Sequence, residues 1–93
     1  MPAKALGFGP TGEAVARNIE HCRVALDLSY AELSRLLTEY GCPISPLGLT
    51  RIRDLRRRVD VDDLAALASV LGVSAHLLLS QGPVVVVRVK RVS

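Results

Sequence analysis

The chain has 93 residues, enough for one domain and near the lower limit at which a core holds without disulfides or metals. Aromatic content is only 3% (Phe8, Tyr30 and Tyr40), so Leu, Val and Ala must build the core and no stacking platform for RNA or single strands exists. The net charge is +3, but five of the twelve Lys and Arg residues lie between Arg51 and Arg58, a clustering that suits a polyanion partner; the alternative is a solvated charged face.

Residues 1–10 contain Pro2, Gly7, Gly9 and Pro10 and read as a flexible lead-in to a domain spanning residues 11–80. Thr11 offers a helix N-cap, with Glu13 in the first turn, where the helix dipole favours an acid. Val15, Ile19, Cys22 and Leu26 then mark one apolar face of a first helix, Gly12 to Leu26. From Leu28 one device appears four times: an apolar residue, a capping Ser or Asp, and a second apolar residue five positions after the first. The instances are Leu28-Ser29 with Leu33, Ile44-Ser45 with Leu49, Val59-Asp60 with Leu64, and Val73-Ser74 with Leu78. Each matches a hydrophobic staple across an N-cap, in which a side-chain oxygen satisfies an orphan N–H. Glu32 after Ser29 completes a capping box, and Asp63 after Asp60 resembles one.

These caps predict five helices. The second runs from Tyr30 to about Tyr40, with Leu33, Leu36 and Leu37 inward and Gly41 as its stop. Cys42-Pro43-Ile44 form a loop. The third opens on Ser45, with Pro46 at the first helical position, where a missing N–H costs nothing. It buries Leu49 and Ile52 and, with no Gly after it, is expected to run on to about Arg57. The fourth spans Val61 to Leu71 and the fifth Ala75 to about Leu79.

After Gly82-Pro83 the character changes. The segment VVVVRVKRVS has strong β-propensity, with Val85, Val87 and Val89 on one face and Arg88 and Lys90 on the other. A lone strand leaves its ladder groups unpaired, so residues 81–93 are expected to pair with a second chain; the competing reading is a disordered basic tail.

Cys22 and Cys42 have no CxxC spacing, His21 and His76 have no neighbours at metal-ligand spacing, and no nucleophile elbow, phosphate loop or HExxH occurs. Gly7 to Gly12 lacks the preceding strand and the Lys of a phosphate loop. Leu64 to Leu79 is apolar but too short and too broken to cross a membrane. No enzymatic activity, metal, cofactor or small-molecule ligand is expected, and the chain reads as soluble and cytoplasmic, associated with the nucleoid.

Three segments carry a family resemblance. Leu28-Ser29-Tyr30-Ala31-Glu32-Leu33-Ser34 is similar to an LSxxELA opening of a second helix. Leu49-Thr50-Arg51-Ile52 is similar to ISRIE. Leu67-Ala68-Ser69-Val70-Leu71-Gly72-Val73-Ser74, followed by Leu77 and Leu78, looks like LAxxLGVS…LL. In this order, over roughly Val15 to Leu79, they resemble the lambda-repressor-like (XRE, Cro/C1-type) helix-turn-helix regulators. The fold expected is thus all-α, a five-helix helix-turn-helix domain with a C-terminal β-strand tail.

The resemblance implies a transcriptional regulator, a dimeric repressor, that binds double-stranded DNA at a roughly palindromic site. Helix three would enter the major groove and helix two would lie against the backbone. Leu47, Gly48, Thr50, Arg51 and Asp54 would read bases, Arg51 by a bidentate pair with guanine and Leu47 against a thymine methyl, while Gly48 lets the backbone come close. Ser29, Tyr30 and Ser45 at helix N-termini, with Arg56, Arg57 and Arg58, would hold phosphates. Val85, Val87 and Val89, helix five, or both would form the dimer. The sequence departs from the family pattern in a longer connection from Thr38 to Ile44. It also departs at Arg53, where a Glu normally faces the position of Arg23; two cations there require Glu20, Asp27, Asp54 or a bound anion between them. A second functional class is a protein-interaction module, antitoxin- or anti-repressor-like, that uses the C-terminal strand to bind another protein.

Overall fold

The structure is a computed structural model that describes residues 7–86. Among these the chain is all-α, with five helices: α1 (Pro10–Ala25), α2 (Tyr30–Tyr40), α3 (Pro46–Arg53), α4 (Val61–Leu71) and α5 (Ala75–Leu79). All four repeated caps form. Ser29 Oγ accepts from the Glu32 amide and Glu32 Oε1 accepts from the Ser29 amide, at 3.0 and 2.8 Å. Asp60 and Asp63 make the same reciprocal box at 2.7 and 3.3 Å. Ser45 and Ser74 each accept one amide, from Gly48 and Leu77, both at 3.0 Å.

The first helix differs from its expected start. Gly9, not Thr11, is the N-cap, and Pro10 takes the first helical position, where its ring pre-sets φ. Thr11 lies inside the first turn and its hydroxyl accepts from Gln81 Nε2 at 3.0 Å, binding the chain after α5 to the start of α1. Phe8, within the expected lead-in, is buried beside Gly12.

Helix α3 does not run on to Arg57. It ends at Arg53, and Leu55 takes a left-handed φ of 61°. The Leu55 amide donates to Ile52 O at 3.1 Å and the Arg56 amide to Arg51 O at 2.7 Å, the paired bonds of a Schellman stop. A branched residue there costs about 1–2 kcal/mol of backbone strain. The cost is offset because Leu55 and Val59 both pack against the core, which a continued helix would not allow. Asp27 ends α1 in the same way, with φ of 58°.

The core joins Val15, Ile19 and Cys22 of α1 to Leu33 and Leu37 of α2, Leu49 and Ile52 of α3, Leu67 and Leu71 of α4 and Leu78 of α5. Leu26 and Leu64 are partly buried against this cluster, and Leu36 is half-buried at the edge of α2. Asn18, which the apolar pattern of α1 does not single out, is 1% exposed. Its Nδ2 donates to the carbonyls of Leu77, Leu78 and Ser80 at 3.2, 3.0 and 2.8 Å, satisfying the end of α5 from inside the core. α1 thus packs on α5, α3 and α4, and α2 packs on α3 and α4.

No strand occurs among the described residues. Residues 84–86 are non-helical and carry no ladder; Val85 is 78% exposed and Val86 packs against the core. Val87 and Val89 lie outside the described residues. No helix among the described residues is long and apolar enough to cross a membrane.

Candidate nucleic-acid interface

The site is built on the α2–α3 pair and the loop after α3. Five residues, 41 to 45, connect the two helices. Gly41 turns the chain with a φ of 104°, and the Cys42 amide donates to Leu37 O at 3.0 Å. Ile44 inserts into the core at 2% exposure, and its carbonyl accepts from Ser34 Oγ at 2.7 Å. The longer connection is therefore anchored at its middle, and α3 is held against α2 rather than left at the end of a loose loop.

Burial of Leu49 and Ile52 turns the opposite face of α3 outward. Leu47 is 57% exposed and Arg51 is exposed. The Arg51 guanidinium makes no hydrogen bond or ion pair among the described residues, so its five donors face solvent. Thr50 is half-exposed, and its hydroxyl donates to Leu47 O at 2.8 Å. Asp54, at the C-cap, is exposed.

Gly48 is buried instead of facing outward. A β-carbon there would stand 2.6 Å from Arg57 Nη1 and 3.0 Å from Ile44 Cγ2. The missing side chain makes room for the Arg57 guanidinium, which is tethered from the other side by Asp63 at 3.6 Å. Asp63 is itself buried and also forms half of the α4 capping box. Arg58, expected among the phosphate contacts, lies beyond the end of α3: Nη2 donates to Gly7 O at 3.3 Å and the guanidinium stands 5.7 Å from the Phe8 ring. Even so, Ser45, Gly48, Arg51, Arg56, Arg57 and Arg58 together line one open groove of about 440 Å³. Early termination of α3 bends the three-arginine run back beside the helix, so that it forms a wall of that groove.

The two cations at positions 23 and 53 are reconciled by Glu20, Tyr30 and Asp54. Arg23 Nε and Nη2 bind the Glu20 carboxylate at 3.0 and 2.6 Å, and Nη1 donates to Leu28 O at 2.7 Å. The Tyr30 hydroxyl donates to Glu20 Oε1 at 2.8 Å and accepts from Arg53 Nη1 at 3.1 Å. Arg53 closes the chain on Asp54 at 2.8 and 3.1 Å. The Tyr30 ring also faces Arg23 at 4.1 Å from its centroid. Arg23 beside Glu20 holds that carboxyl below the usual range, against the upward pull of burial, and the Tyr30 hydroxyl adds to the effect. Arg53 does the same to Asp54, while its own pKa is raised first by Asp54 and then by Tyr30.

The structure thus brings Leu47, Thr50, Arg51 and Asp54 to one exposed face, with Ser45 and the arginines of the 56–58 run beside it. Ser29 is exposed at the start of α2, but the Tyr30 hydroxyl is occupied within the network. The bonds of Arg53 to Tyr30, of Asp63 to Arg57 and of Asn18 to the end of α5 escape a reading of the sequence, because in each the partner belongs to another element. Among the described residues no group of three or more His, Cys, Asp or Glu side chains could hold a metal ion. No family model, no curated protein and no solved structure matches the chain.

Proposed function

We propose that this chain is a sequence-specific, double-stranded DNA-binding regulator of the lambda-repressor-like helix-turn-helix type, acting as a dimeric repressor. The observation that carries the reading is the exposed α3 face, on which unpartnered Arg51 and apolar Leu47 stand one turn apart beside an arginine-walled groove. A helix with its side chains is about 10–12 Å across, which fits a major groove of about 12 Å width, and the exposed N-terminal half of α3 enters it. Arg51 then pairs with guanine O6 and N7, and Leu47 lies against a thymine methyl. Ser29 and Ser45 sit at helix N-termini and, with Arg56 and Arg57, supply phosphate contacts. Arg58, turned partly toward Gly7, contributes charge to the same groove. A homodimer formed through the C-terminal segment, α5, or both would place two such faces on a roughly palindromic site, because one small domain on one half-site gives little specificity.

Selection of bound duplexes from random DNA tests the reading, since it reports binding, half-site symmetry and spacing together. A palindromic consensus whose enrichment disappears with Arg51→Ala is the expected result. No enrichment at low salt would reject it.

The second reading is a protein-interaction module. It is favoured by the exposed apolar side chains of Val61, Leu79 and Val85, which are 80%, 39% and 78% exposed. Under it the chain captures a protein partner and Arg51→Ala has no effect on any binding.

A further inference from the structure

Asp54 is an acid placed where the helix dipole disfavours one, at the C-cap of α3, so it is not there to stabilise the helix end. Its partner is the neighbouring Arg53. Nε and Nη2 of that guanidinium meet the two carboxylate oxygens at 2.8 and 3.1 Å. This two-point fork is also the geometry by which an arginine takes two phosphate oxygens. A third donor, Nη1, reaches the Tyr30 hydroxyl at 3.1 Å, and the guanidinium stands 5.6 Å from the Tyr30 ring centroid. Arg53 is therefore held at a defined place on the exposed edge of α3, with two of its nitrogens engaged by a carboxylate. Both partners remain open to solvent, with side-chain exposures of 43% and 49%. An exposed pair of this kind is weak enough for a stronger anion to displace.

We propose that Asp54 is an internal phosphate mimic that closes Arg53 against the DNA backbone and thereby lowers sequence-independent binding. The proposal rests on the DNA-binding reading and adds to it the control of non-specific affinity at the same face. With Asp54 in place, an approaching phosphate must displace a carboxylate from Arg53 and meets its negative charge. With the carboxylate neutralised, Arg53 remains positioned by Tyr30 and becomes a further phosphate contact. Arg56, whose charge also reaches Asp54, is relieved at the same time.

The test is fluorescence anisotropy of a random-sequence duplex titrated with the full chain across a series of salt concentrations. Asp54→Asn is expected to bind roughly three- to tenfold more tightly than wild type at low salt, with a salt slope steeper by about 0.9, the signature of one added phosphate contact. Arg53→Gln added to Asp54→Asn should return both quantities to wild-type values. A gain that survives Arg53→Gln would mean that Asp54 does not act through Arg53, and a gain abolished equally by Arg17→Gln, which restores the same net charge from the exposed side of α1, would mean that it acts only through net charge; either would overturn the gate. Weaker binding by Asp54→Asn would make Asp54 a direct base contact and would also overturn it. Superimposable wild-type and Asp54→Asn isotherms reject the gate alone, whereas absence of binding by either protein rejects the DNA-binding reading together with it.

Discussion

The guanidinium of Arg57 occupies the space that a side chain at position 48 would need, with Nη1 only 2.6 Å from where a β-carbon would lie. Gly48 therefore serves as the seat of an arginine. Asp63 holds that arginine from the first turn of α4, so one wall of the basic groove is fastened to a neighbouring helix.

Gly48→Ala should displace Arg57 from its seat. The shortest clash falls on the tip of a flexible side chain, and the 3.0 Å contact with buried Ile44 is offset because Ala favours helix over Gly by about 1 kcal/mol, so stability should change little. DNA affinity should fall severalfold. A double-mutant cycle with Arg57→Ala checks the mechanism: in that background Gly48→Ala should cost nothing further. An equal loss in both backgrounds would detach Gly48 from Arg57.

Arg51→Ala and Arg56→Ala should differ in kind. Loss of a bidentate guanine contact costs about 1–3 kcal/mol on the preferred site and relaxes the preference at that position. Loss of a phosphate contact weakens all sequences alike and reduces the salt slope by about one. Gel shifts on preferred and scrambled duplexes at several salt concentrations separate the two patterns.

Glu20 makes stability depend on pH. Its folded-state pKa is depressed by Arg23 and Tyr30, so the ionised carboxylate contributes stability at pH values above its unfolded pKa. That contribution is lost as pH falls through the lower, folded value. Wild type should therefore lose Tm more steeply than Glu20→Gln below about pH 5, the region where unfolded Glu begins to take up protons. Parallel Tm curves for the two proteins would remove Glu20 from the acid response.

Asn18→Leu should destabilise the fold by about 1–3 kcal/mol, because the carbonyls of Leu77, Leu78 and Ser80 lose their buried donor. Urea denaturation measures this, and amide exchange should show the greatest loss of protection in α5.

Asp27→Gly should act in the opposite direction. Asp27 is exposed and holds a φ of 58°, which Gly adopts without strain. A gain of up to about 1 kcal/mol is expected in the same denaturation assay. A loss would show that the Asp27 side chain does more than end the helix.

The helices were legible because their signals are local. Ser29 with Glu32, Ser45 with Pro46, Asp60 with Asp63 and Ser74 before Ala75 satisfy amides within one turn, so their meaning is complete in a few residues. The spacing of Leu49 and Ile52 likewise sufficed to turn Leu47 and Arg51 outward, because a helix has a fixed period. Leu55 was not legible in this way. It carries no glycine signal, and its left-handed turn is decided by burial of its own side chain together with Val59, which requires the assembled core. Asn18 meets carbonyls about sixty positions away. Arg53 meets Tyr30 across 23 positions, and Arg57 reaches Asp63 from a different element. A charge read along the sequence shows only that arginines are numerous. Which of them is sheathed by a carboxylate, which is seated over a glycine and which faces solvent depends on the partners that folding brings beside it, and electrostatic and steric contacts of that range exist only once α1, α2 and α4 have closed around α3.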